Sequence, residues 1–419
     1  MRKISIYIHI PFCIRKCLYC DFLSAPSTPD CIEQYVCALE SEIRFSPDLN
    51  GLTAAEIPDD PEIQVDTVFL GGGTPSLLTP DQLERILTAV RKSYRVQDGA
   101  EISMEVNPGT ADLERLQAYR GAGINRLSIG VQSVDDAELA LLGRIHRAGQ
   151  AEKIFREARR AGFDNINIDL MSALPGQTAD KWEQNLRIVC EWGPEHISAY
   201  SLIIEEGTPF AEMDLLPLPS EEEDRLMYHR TQTVLAEYGY QRYEISNYAR
   251  PGRACRHNCG YWTGHEYLGL GLGASSLIGD RRFKVTASMP EYLRRIRLAA
   301  SGRCYGPDSL DTKSAGLESI GPECFGTESI RPDSYYEDIQ QLTLRDRMEE
   351  FMFLGLRMTE GVSEAQFRRR FGNSIDVVYG PVLARHTDGG LLERTGDRIR
   401  LTEKGLDLAN YVMSDFILD

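Results

Sequence analysis

The stretch Tyr7-Ile-His-Ile-Pro-Phe-Cys13-Ile-Arg-Lys-Cys17-Leu-Tyr-Cys20-Asp-Phe22 places three cysteines on a loop directly behind a short apolar run, Ser5–His9. A loop at the C-terminal end of a first strand is where the active sites of β/α barrels gather. Three thiolates hold three irons of a [4Fe–4S] cluster and leave the fourth iron open. A cluster ligated by four cysteines has no open position and suits electron transfer alone. The open iron can be chelated by the amino and carboxylate groups of S-adenosylmethionine (SAM). Two other readings compete on the residues alone. Cys17-Leu-Tyr-Cys20 is a C-x-x-C that could act as a dithiol pair. A structural zinc could instead use the three thiolates with His9 or Asp21.

Downstream, the same alternation of apolar run and helical-period segment repeats. Runs at Thr67–Leu70, Glu101–Val106, Arg126–Gly130, Asn165–Leu170 and His196–Tyr200 follow the first. Between them lie periodic segments at Cys31–Phe45, Pro80–Tyr94, Ala111–Ala122, Ala151–Ala161 and Ala179–Glu191. β/α units in series predict a parallel sheet with right-handed crossovers. Their number predicts a partial (β/α)6 barrel over 1–240 rather than a closed eight-fold one. Residues 241–300 add strands, beginning at Tyr240–Ile245, and carry the run Tyr267-Leu-Gly-Leu-Gly-Leu-Gly-Ala-Ser-Ser276. Residues 301–342 read as a loop or insertion, most plainly the Gly-, Ser- and Pro-rich Ser301–Arg331. Over 343–419, helical patterns surround a hairpin at Gly389–Leu401, as in a small winged-helix-like domain.

Bulk properties narrow the partners. With 46 Lys and Arg against 63 Asp and Glu, the 419-residue chain has a formal net charge of -17, which disfavours nucleic acid or an anionic membrane. The run Arg368-Arg369-Arg370 is the exception, and a solvated helix face is the simplest account of it. No apolar run approaches the ~20 residues of a membrane span. The opening residues lack the pattern of a secretory signal, so the cytoplasm is the expected compartment. In that reducing setting, a tight group among the 10 cysteines points to metal or redox chemistry.

Each successive strand end carries polar residues. Gly71-Gly72-Gly73-Thr74-Pro75 follows the second strand and lets backbone approach a ligand. Glu105 closes the third, Gln132 follows the fourth and Asp169 closes the fifth. Arg144 in Leu-Gly-Arg-Ile-His could grip a carboxylate in a fork. Any one of these is more often structural; the series is hard to assign to packing. Together with Tyr-Ile-His-Ile-Pro-Phe-Cys, Gly-Gly-Gly-Thr-Pro, Glu-Val-Asn-Pro, Gly-Val-Gln-Ser and Asn-Ile-Asp-Leu-Met-Ser-Ala-Leu-Pro-Gly-Gln-Thr, it resembles the coproporphyrinogen-oxidase-like branch of radical-SAM proteins over nearly the full chain. That resemblance implies SAM contacts from Tyr7, Gly72, Gly73, Thr74, Glu105, Gln132, Arg144 and Asp169, with Tyr19 near the adenine.

Within this branch, oxygen-independent coproporphyrinogen III oxidases carry a further cysteine two residues after the third. Here that position is Phe22. Farther on, Arg256-His257-Asn258-Cys259-Gly260-Tyr261-Trp262 resembles the His-Asn-x-x-Tyr-Trp motif of the HemW haem chaperone subfamily. An imidazole between aromatic rings is a plausible iron ligand; a turn with a core Tyr–Trp pair and a surface histidine is the bland alternative. Cys255 and Cys259 could add thiolate ligands. The resemblance thus implies a carrier that binds haem through His257 and passes it to an acceptor protein, with the cluster and SAM in support. A porphyrin-modifying radical-SAM enzyme is the runner-up, and a metal-holding adaptor a weaker third.

Overall fold

Every second residue of Lys3–Ile10 is an isoleucine, and Ile4, Ile6, Ile8 and Ile10 are all fully buried; Ser5 and His9 on the opposite face are largely buried too. Burial on both faces is the mark of a parallel strand covered by helices. The computed structural model describes residues 2–52, 63–213, 217–300 and 335–418. Its parallel strands are β1 (Lys3–Ile10), β2 (Gln64–Gly72), β3 (Val96–Val106), β4 (Arg126–Gln132), β5 (Ile166–Ser172) and β6 (His196–Ser201). Helices Pro29–Leu49, Pro80–Ser93, Leu113–Ala122, Ala148–Arg160 and Ala179–Trp192 lie at the expected places. Their starts are set by capping side chains: Thr28, Thr79, Asp112 and Thr178 each accept a backbone N–H of the first turn. At Pro80–Ser93 the cap is reciprocal, since Gln82 also accepts from Thr79 N–H.

Five further strands follow over 241–300: β7 (Gln241–Arg242), β8 (Asn247–Ala249), β9 (Glu266–Leu270), β10 (Ser275–Ile278) and β11 (Arg281–Lys284). The strand expected at Tyr240–Ile245 is thus only Gln241–Arg242. The buried Glu244 carboxylate accepts from Ser246 N–H and the Asn247 side chain, and this turns the chain out of strand geometry. A correction falls in the expected insertion 301–342. Residues 301–334 lie outside those described, but Glu337–Gln341 is β12, paired antiparallel with β11. Its polar, largely exposed sequence offered no apolar alternation to read.

The chain is built of two compact units. The first comprises Met1–Ile14, Leu23–Ala100 and Glu266–Gln341; the second comprises Arg15–Phe22, Glu101–His265 and Leu342–Asp419. In the first, β2 and β9 both pair parallel to β1, and β9 to β12 continue antiparallel. A carboxylate sits inside it: Glu42 is fully buried and accepts from Gly271 N–H at 2.8 Å and Tyr292 O–H at 2.7 Å. Its other oxygen, Oε1, has no hydrogen-bond partner among the described residues. Burial pushes this carboxyl up to about 7, against the pull of its donors.

In the second unit, β3 to β6 pair parallel in sequence order, and β8 and β7 extend them antiparallel. The C-terminal part has its own antiparallel sheet of β13 (Val362–Ser363), β14 (Leu392–Thr395) and β15 (Arg398–Leu401). Helices Leu344–Gly355, Glu364–Phe371 and Ile375–Asp388 pack over it around Met352, Phe367, Tyr379, Val412 and Phe416, the arrangement expected of a winged-helix-like domain. Among the described residues, no helix is long and apolar enough to cross a membrane.

Candidate functional site

In the first unit the start of the cysteine loop is pressed onto the end of β2. Gly72 has φ +108°, and a Cβ there would lie 2.4 Å from the His9 ring; one on Gly73 would lie 2.6 Å from Phe12 O. The Gly73 N–H is already used within the protein, donating to Ile10 O at 2.9 Å. Cys13 N–H donates to Ala25 O, and Thr74 Oγ1 donates to Cys13 Sγ at 3.4 Å. His9 is held between Leu23 O at 2.8 Å and Tyr7 O–H at 3.0 Å. Because a carbonyl can only accept, Nε2 carries the proton and Nδ1 accepts from Tyr7. Burial lowers the pKa of His9, so the ring stays neutral. Both its nitrogens are occupied, which argues against His9 as a zinc ligand.

In the second unit the rest of the loop is tied down by backbone. Leu18 N–H donates to Leu142 O and Leu18 O accepts from Phe210 N–H. Arg15 reaches Gly143 O at 2.8 Å. This brings Arg144 to Cys17: Nη1 donates to Cys17 Sγ at 3.5 Å, while Nη2 donates to Asn107 Oδ1 at 2.7 Å and Gly130 O at 2.6 Å. Burial opposes the charge on Arg144, but Tyr19 and Cys17 beside it keep it cationic. The Tyr19 phenol is pushed up by burial and packs edge-on to Phe210. Arg144 Nε is buried with no hydrogen-bond partner among the described residues. An orphaned guanidinium N–H beside a cysteine thiol is the donor a carboxylate-bearing ligand of a cluster needs, so the residues present fit SAM.

Polar residues stand at the strand ends of this unit as well. Gln132 has φ +68°, a left-handed conformation rare for a residue with a side chain, at an irregularity in the β4–β5 pairing. Half-buried Glu105 stands in register with Ser128 of β4. Asp169 accepts from Ser128 Oγ at 3.1 Å and Asn167 Nδ2 at 2.7 Å. Burial raises its pKa, which those donors and Arg126 partly offset.

The Arg256–Trp262 motif forms a short helix. Glu101, near the start of the buried part of β3, accepts from the backbone N–H groups of Arg256 and His257 at 3.1 Å each and from Cys255 Sγ at 3.6 Å. A carboxylate at a helix N-terminus meets both unpaired donors and the helix dipole. His257 is 1% exposed, with Nε2 on Tyr261 O–H at 3.0 Å. It is therefore not the surface histidine of the bland reading. Burial pushes the thiols of Cys255 and Cys259 up to about 12, so both are protonated at neutral pH in the metal-free protein. Arg357 lies over the Trp262 ring, 4.3 Å from its centre, and Trp262 Nε1 is buried without a partner among the described residues. A hydrogen-bonded series runs from Asp169 through Asn167 to His196 (2.6 Å) and Tyr243 (2.8 Å), whose hydroxyl accepts from Cys255 N–H.

Glu101 and Asn107 escaped the sequence reading. Glu101 had a readable signal, because Glu101, Ser103 and Glu105 share one face of β3 by the period of two. Asn107 had none beyond its place in Glu-Val-Asn-Pro. Among the described residues, no group of three or more His, Cys, Asp or Glu side chains is arranged to hold a metal ion.

Comparison with known proteins gives the family. The model described as "Radical SAM superfamily" matches residues 7–189, and the one described as "HemN C-terminal domain" matches 342–408. The chain is 33% identical to "Heme chaperone HemW" of Bacillus subtilis (strain 168), over 99% of both chains. It is 32% identical to the protein of the same name in Escherichia coli (strain K12), over 99% of this chain and 98% of that one. A mitochondrial relative from Danio rerio, "Radical S-adenosyl methionine domain-containing protein 1", is 30% identical over 99% and 87%. Among solved structures, the coproporphyrinogen III oxidase HemN from Escherichia coli matches with TM-score 0.78 over 99% of this chain and 90% of that one; at 23% identity this shows the fold alone. The expected class holds: α/β, with the parallel strands of a partial radical-SAM barrel, added strands and a HemN-type C-terminal domain. A [4Fe–4S] cluster and SAM are the cofactors that define the superfamily. With likeness to the HemW relatives running from end to end, the protein belongs to the heme chaperone HemW family of radical SAM proteins.

Proposed function

We propose that this protein binds haem and hands it to an acceptor protein in the cytoplasm. The observation that carries this reading is identity of about one-third to several curated heme chaperones over practically the whole chain. Phe22 supports it, standing exposed where the resemblance puts an extra cysteine in the oxidases. Cys13, Cys17 and Cys20 would close on the cluster when it is present. When bound, the cluster supplies an electron and one open iron position for SAM. Arg144 orients the SAM carboxylate through its spare Nε, with Asn107 and Gly130 fixing the guanidinium. Glu105 and Asp169 accept from the ribose hydroxyls, Gln132 and Tyr19 line the nucleoside, and Tyr7, Gly72, Gly73 and Thr74 shape the side nearest Cys13. His257 offers its imidazole to haem iron once its contact with Tyr261 gives way.

Anaerobic titration of the reconstituted protein with haem tests the reading. Saturable Soret-band binding is expected in the wild type, and a His257→Ala variant should bind more weakly with a changed band position. Absence of wild-type binding overturns the carrier reading, and an unchanged variant removes His257. Stoichiometric conversion of coproporphyrinogen propionates to vinyl groups, with SAM and a reductant, would replace it with the oxidase.

A further inference from the structure

We propose that a basic cleft at the end of the Arg256–Trp262 helix receives the propionate carboxylates of haem. This rests on the haem-carrier reading and assigns it a second part. The cleft has a volume of about 410 Å³, and its lining includes Thr263, Phe351, Met358, Arg369, Arg370 and Arg398. Thr263 is the residue that closes the motif helix, and Arg370 Nη2 donates to the carbonyl of the next residue, Gly264.

Charge is the first argument. In a chain of net charge -17, three guanidinium groups face this cleft against one carboxylate, Glu360. Glu360 pairs with Arg398 at 3.3 Å, while the exposed Arg369 makes no ion pair among the described residues. Basic residues at the end of Glu364–Phe371 could simply complement that helix's dipole. That accounts for Arg369 and Arg370 but not for Arg398, which arrives from β15. Convergence from separate elements is what a carboxylate site requires, since guanidinium and carboxylate pair fork to fork.

Shape is the second. Phe351 and Met358 are half-buried and give the cleft an apolar wall beside its cations. A phosphate or citrate ion would use only the cations. A flat apolar ring with two carboxylates on one edge uses both surfaces, and haem is such a molecule.

The test uses the full chain, titrated with haem and with haem dimethyl ester, whose carboxylates are blocked. Arg369→Glu and Arg398→Glu should each weaken haem binding roughly tenfold, the loss of one charge-assisted hydrogen bond. Wild type should bind the ester about as weakly as Arg369→Glu binds haem, and ester binding should not change in Arg369→Glu. Arg369 is exposed, so that variant is not at risk of misfolding; urea unfolding checks Arg398→Glu. A double variant that binds haem within about twofold of wild type overturns the cleft while leaving the carrier reading standing. Equal losses for haem and ester also overturn it, because the effect would then bypass the carboxylates. Wild type that binds no haem overturns both.

Discussion

The Arg144 corner and the Arg256–Trp262 helix solve the same problem in opposite ways. Each gathers buried polar groups in the second unit, and each has a donor without a partner among the described residues, Arg144 Nε in one and Trp262 Nε1 in the other. At Arg144 the side chain is braced by Asn107 and Gly130, and the spare donor is a permanent charge beside Cys17. The cost of an unpaired buried cation is recovered when an anion arrives. At the helix the chemically interesting group, His257, is already satisfied, and Glu101 secures the backbone beneath it. The spare donor there is a neutral indole covered by Arg357. On the proposed reading, the first corner is preorganised for SAM, whereas the second must give up the His257–Tyr261 contact to engage haem. Affinity at the first is gained from rigidity, and at the second it is reduced by the cost of opening.

Three variants strain this contrast. Cys17→Ala should abolish the cluster: after anaerobic reconstitution, iron and sulfide should fall from about four each per chain to near zero. A single zinc in the wild type would sink the cluster assignment. Next, Arg144→Ala should weaken SAM binding by about 2 kcal/mol with iron content unchanged, read by isothermal titration. Unaltered SAM affinity would mean that the spare Nε serves packing and that the corner is not preorganised for SAM. The smallest effect belongs to Glu101→Gln, which keeps the shape but not the charge at the helix N-terminus. It should lower stability by about 1 kcal/mol in urea unfolding and leave SAM affinity as it was. If haem binding improves in that variant, the secured helix is indeed a restraint on His257; if it worsens, the helix is needed intact.

Much of the parallel sheet was legible because its strands are apolar runs with turn chemistry on either side. Ile4, Ile6, Ile8 and Ile10, or the Thr79 cap before Pro80, declare themselves locally. β12 did not, because Glu337–Gln341 is an exposed polar edge whose only reason to be a strand is its partner. The cysteines and the strand-end polar residues were readable as a set, since each repeats at the same point of a β/α unit. What could not be read was whom they touch. Glu101 meets Arg256 across 155 positions of sequence, and that pairing exists only once the chain has folded. His257 illustrates the same limit, because a histidine beside Asn, Tyr and Trp says nothing local about being buried. The arginine run did read correctly as helix surface, since Arg368, Arg369 and Arg370 are all exposed, but nothing local says that β15 brings Arg398 to the same cleft.

Glu42 carries a consequence for how the protein answers acidity. An unfolded glutamate gives up its proton near 4.5, whereas this one keeps it to about 7. Between those values, folding of the first unit consumes a proton, so the native state is a proton sink and buffer capacity is drawn down as the chain folds. The sign is fixed: the contribution is complete below pH 4.5 and drains away as pH rises through about 7. Unfolding followed by pH-stat titration at pH 6 should release close to one proton per chain more in wild type than in Glu42→Gln; equal release would mean that Glu42 is ionised in the native core.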